Sequence, residues 1–69
     1  MPLTMAVCGE PNTIKRVGGK QDTKKFLENL GFVAGSVVTV VSTVSGNLIV
    51  NVKDSRVALG KDMATKIFV

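Results

Sequence analysis

A mainly β domain, folded as one small closed or nearly closed barrel with a short inserted α-helix, is what this sequence predicts, on three observations. Val, Ile and Thr supply 21 of the 69 residues, and these types suit a pleated, half-buried surface. Apolar residues alternate with polar ones in short runs separated by Gly, Asn, Asp and Ser, as in successive hairpins. Only the stretch from Asp22 to Gly31 shows clear helical spacing with a glycine stop. A chain of 69 residues makes one domain. It buries only about 60% of its unfolded surface, so most apolar side chains are needed in the core.

Taken in order, Leu3 to Cys8 is an apolar opening stretch that ends in the turn cluster Gly9-Glu10-Pro11-Asn12. Thr13 to Val17 reads as a short strand stopped by Gly18-Gly19, although Ile14 and Val17 do not share a face under strict alternation. In the helix that follows, Asp22 is placed to cap exposed amides. Phe26, Leu27 and Leu30 share a face through three- and four-residue spacings. Gly31 suits the left-handed residue after the last turn, and Phe32 can fold back on Leu27. A helix of about ten residues is too short to persist without a core to pack on.

Ser36 to Val44 is the next strand, with Val38, Val40 and Val44 on one parity and Val37 and Val41 on the other. Ser45-Gly46-Asn47 makes a hairpin turn. Leu48, Val50 and Val52 then alternate with Ile49, Asn51 and Lys53, so the even positions face the core. Asp54-Ser55 is a second tight turn, and Arg56 to Leu59 a third strand. Gly60 to Ala64 suits one helical turn, and Lys66 to Val69 a last short strand. A helix inserted before a three-strand meander makes an SH3-like β-barrel the economical architecture, with a one-turn helix before the last strand. An OB-type barrel usually needs more residues.

The residue inventory excludes several classes of function. The chain has no His, Trp or Tyr and a single Cys, so it has no internal disulfide and no ordinary zinc, copper or haem site. Cys8 has no basic neighbour nearer in sequence than Lys15 and reads as a buried or half-buried inert thiol. Glu10, Asp22, Glu28, Asp54 and Asp62 are scattered, whereas an Fe²⁺ site needs clustered imidazole and carboxylate ligands. No metal site, cofactor or catalytic role is therefore expected. Gly18-Gly19-Lys20 lacks the spacing of a phosphate loop. No charged residue lies between Glu28 and Lys53, but that window is broken by Asn, Gly, Ser and Thr and reads as strands, not as a membrane span. No secretory signal opens the chain, so the cytoplasm is the expected compartment. The net charge of +4 comes from dispersed Lys and Arg. That charge carries an alternative reading as a small basic nucleic-acid-binding barrel. Such barrels stack bases on exposed aromatics, and only Phe68 is left for this if Phe26 and Phe32 are used around the helix.

The segment Leu27-Glu28-Asn29-Leu30-Gly31-Phe32-Val33-Ala34-Gly35 also forms part of a longer pattern. With Val38, Val40, Ser55-Arg56-Val57-Ala58-Leu59, Ala64, Ile67 and Val69, it resembles the ferrous iron transport protein A (FeoA) family. Pro2-Leu3, Gly9-Glu10, Ile14 and Gly18-Gly19 fit the same alignment, so the resemblance runs along essentially the whole chain. Each motif is common alone; their order and spacing carry the specificity. The resemblance implies an SH3-like domain acting as a cytosolic accessory to ferrous iron transport protein B, a membrane transporter with a cytosolic GTP-binding domain. It implies contact with the membrane only through that partner, and a monomer or weak self-association. The same fold occurs as the C-terminal domain of iron-dependent repressors. This chain has Ala34 where members often carry Pro, and Phe26 where they often carry Arg.

With no chemistry to perform, the function rests on a surface. In the even-in register, Val37, Val41 and Ile49 point outward, and Phe68, alternating with Ile67 and Val69, is expected to join them. Such a face is either covered by the inserted helix or left for a partner. Lys24, Lys25 and Arg56 are candidates for a cationic rim that steers an acidic partner.

Overall fold

The computed structural model describes all 69 residues, Met1 to Val69. After a 3-10 turn at Leu3–Met5 come β1 (Pro11–Thr13), β2 (Arg16–Val17), α1 (Gln21–Asn29), β3 (Val37–Val44), β4 (Asn47–Val52), β5 (Ser55–Gly60), α2 (Lys61–Ala64) and β6 (Ile67–Phe68). The strands form a four-stranded sheet in the order β1-β3-β4-β5 and a two-stranded sheet β2-β6, all paired antiparallel. The two sheets are not hydrogen-bonded into a closed ring.

The stretch expected as one strand, Thr13 to Val17, is divided between the two sheets. The Ile14 amide donates to Ser36 O, on the side of β3, while the next amide, Lys15, donates to Phe68 O of β6. The chain turns a corner there, which is why Ile14 and Val17 break a single alternation. Ile14 is buried in the core and Val17 is half-buried beside it. The expected turn cluster is shorter than read, because Pro11 and Asn12 already belong to β1. Cys8 is exposed rather than buried, at a chain reversal completed by Gly9 with φ +88°.

α1 begins at Gln21, and its N-cap position, Lys20, has no side-chain cap. Asp22 is therefore not the cap; it lies in the first turn, where its charge favours the positive end of the helix dipole. The helix ends as its sequence signals. Gly31 has φ +104°, its amide donates to Glu28 O at 2.9 Å, and the Phe32 amide donates to Leu27 O at 2.9 Å. These are the two bonds of a Schellman ending, and Leu27 and Phe32 are both fully buried.

β3 and β4 bury Val38, Val40, Leu48, Val50 and Val52, so the even-in register holds through this region. It fails at Val44, which is 54% exposed. The pairing shifts between Val40 and Ser42, with Val41 as the extra residue of a bulge, and a bulge reverses the parity that follows it. Both hairpin loops have two residues with positive φ, Ser45-Gly46 and Lys53-Asp54, the geometry of type I′ turns. Asn47 and Ser55, expected in the turns, are instead the first paired residues of β4 and β5.

Candidate functional site

The outward face of the four-stranded sheet is assembled by register. Pro11 of β1 lies opposite Thr39, which lies opposite Asn51, which lies opposite Arg56. One row over, Ser42 faces Ile49 and Ile49 faces Ala58; Val44 faces Asn47 and Asn47 faces Gly60. Val37, opposite Thr13, is 52% exposed, while Ile49 and Val41 are half-buried. Arg56 is the one charged residue within these rows, and its Nε donates to Asn51 Oδ1 at 3.4 Å. An open groove of about 610 Å³ crosses this face, lined by Ser36, Val37, Thr39, Asn51, Lys53 and Asp54.

The inserted helix does not cover this face. It enters the core through Leu27, and Val37 and Val44 are left open to solvent. The structure thus brings Val37, Ile49 and Arg56 to one sheet face, with Val41 at the adjoining bulge. It places the other expected residues elsewhere. Lys24 lines a smaller groove of about 260 Å³ with Val17, Glu28, Phe32, Val33 and Ala34, and Lys25 is exposed on α1. Phe68 belongs to the second sheet, where the Arg16 guanidinium carbon sits 4.0 Å from its ring centre. That cation–π contact occupies the ring face that base stacking would use.

Val44 and Phe26 are exposed apolar residues that sequence reasoning misplaced. Nothing in the Val-Val-Thr-Val-Val run marks the bulge that turns Val44 outward. Phe26 is 50% exposed rather than on the buried helix face. No three of the Cys, Asp and Glu side chains come together as metal ligands. No helix is long and apolar enough to cross a membrane.

The FeoA domain family model matches residues 1–69. A protein of Methanocaldococcus jannaschii assigned as Fe(2+) transport protein A is 31% identical over 68 residues, which are 99% of this chain and 83% of that protein. The crystal structure of Stenotrophomonas maltophilia FeoA complexed with zinc, described as a procaryotic SH3 domain protein, has a TM-score of 0.87 at 25% identity. The match covers 100% of this chain and 88% of that one. A manganese-dependent transcriptional repressor shares the fold, with a TM-score of 0.90 at 21% identity over 100% of this chain and 40% of its own. The architecture is therefore SH3-like, as its strand and helix signals predict.

Proposed function

This chain belongs to the FeoA domain family of ferrous iron transport, and from that premise we propose that it is a non-catalytic accessory of ferrous iron uptake. It docks on the membrane ferrous iron transporter, ferrous iron transport protein B, and modulates that transporter's assembly or activity. The observation that supports docking is the outer sheet face. Val37 and Val44 stand half exposed there, Ile49 and Val41 lie beside them, and Arg56 is the only charge in the strand rows. A sparsely charged, partly apolar strand face that its own helix leaves open suits a protein partner. Lys24 and Lys25 on α1, with Arg56 on β5, supply positive charge that speeds encounter with an acidic partner surface. Phe68 contributes from the second sheet.

The test is uptake of labelled Fe²⁺ by cells that lack this protein, together with the size of the solubilised transporter complex. Uptake is expected to fall, to return with the wild-type chain, and not to return with Val37→Asp. Val37 is exposed, so that variant keeps the fold. Normal uptake and an unchanged complex size in cells lacking the protein would refute the proposal.

A further inference from the structure

The four-stranded sheet has two free edges, and they are built differently. On β1 the Ile14 amide donates to Ser36 O, so the hydrogen-bonded partners are Ile14 with Ser36 and, two residues back, Asn12 with Val38. The residues whose backbone faces out along that edge are Pro11 and Thr13. Pro11 has no N–H to offer, and the strand is only three residues long. This edge is blunted.

β5 is not blunted. The turn at Lys53-Asp54 makes Val52 and Ser55 the closing hydrogen-bonded pair, and the ladder ends with the Lys61 amide donating to Gly46 O at 3.1 Å. Hydrogen-bonded pairs alternate between those limits, so Val57 and Leu59 bond to β4. The backbone groups of Arg56, Ala58 and Gly60 therefore point away from the sheet. All three residues are exposed, and no proline or bulge interrupts the strand.

We propose that this edge pairs with β5 of a second copy of the chain, antiparallel about a two-fold axis at Ala58, to give one continuous eight-stranded sheet. Three features favour a second copy as the occupant. With Ala58 opposite itself, Arg56 falls opposite Gly60, so the outward-facing backbone groups of one copy meet those of the other, each pair exchanging two hydrogen bonds. The residue at the axis is small. The two Arg56 side chains stand four residues apart along the strand, about 13 Å, beyond the screening length of about 8 Å at physiological ionic strength. On the inner side, half-buried Val57 of each copy comes opposite Leu59 of the other. The pairing also joins the outer faces of the two sheets through the Ile49–Ala58 rows. Each copy carries a net charge of +4, so added salt strengthens the association, the reverse of nucleic-acid binding.

Sedimentation equilibrium over a range of protein and salt concentrations tests this, alongside two variants. Ala58→Pro removes an amide that the monomer does not use, a substitution an edge strand accepts. Ala58→Lys places two like charges directly opposite each other at the axis. A concentration-dependent dimer is expected for the wild-type chain, strengthened by salt. Ala58→Pro should be a folded monomer, and Ala58→Lys should weaken association by up to about fivefold. Three results would overturn the proposal. The wild-type chain could remain monomeric at millimolar concentration. A dimer could persist unchanged in both variants. Or the β5 amides could become protected from hydrogen exchange only when the transporter's GTP-binding domain is added, which would assign the edge to that partner.

Discussion

Phe26 and Phe32 lie six residues apart at one helix end, yet Phe32 is fully buried and Phe26 is half exposed. Phe32 is carried inward by the glycine turn, whereas Phe26 sits beside the narrow buried stripe centred on Leu27. Truncation should separate them. Phe32→Ala removes a core ring and is expected to cost about 3–5 kcal/mol, whereas Phe26→Arg should change stability by less than about 0.5 kcal/mol. Urea unfolding of both variants checks the pair. Gly31 is the hinge of this arrangement: its φ of +104° is strained for any residue with a Cβ, and a Cβ there would also meet the Lys53 side chain at 3.3 Å. Gly31→Ala is expected to lose about 1–2 kcal/mol. Arg16 lies over the Phe68 ring at 4.0 Å, so Arg16→Ala should lower stability by about 0.5–1 kcal/mol.

Among the elements, the two hairpins show how local chemistry and register combine. The β3–β4 turn has a glycine at its second position, but the β4–β5 turn places Lys53 and Asp54 at φ +49° and +63°. Neither side chain relieves the left-handed cost as Gly does. The double variant Lys53→Asn, Asp54→Gly restores the favoured type I′ pair and should add about 1 kcal/mol. For a domain of this size, that raises the melting temperature by about 4–8 °C, which calorimetry can read. The existence of both turns was legible in Ser-Gly-Asn and Asp-Ser; their positions were not, because pairing with β3 and β4 claims Asn47 and Ser55. α1 was legible at its C-terminal end, where Gly31 has one conformational role, and less so at its start, where no side chain caps it. The β3 bulge left no mark in the sequence, since Val40 and Val41 differ only in where the ladder slips.

At the scale of the molecule, alternation in Leu48, Val50 and Val52 was enough to orient the main sheet, and the core follows from it. The division of Thr13 to Val17 between two sheets was not legible, because it depends on partners contributed by Ser36 and Phe68, distant in sequence. The same limit applies to the candidate surface. Val37 and Ile49 could be placed on one face from parity, Val44 could not, and Phe68 could not be assigned to its sheet before the fold was known. The functional reading requires that this outer face, and not the core or the helix groove, meets the transporter. Methyl-labelled Val and Ile residues, observed by NMR as the complete transporter in nanodiscs is added, test this most directly. Val37, Val41, Val44 and Ile49 should shift or broaden, while Val38, Val50 and Ile14 hold their positions at low occupancy. No perturbation of the outer-face methyls at a saturating concentration of transporter would contradict the account.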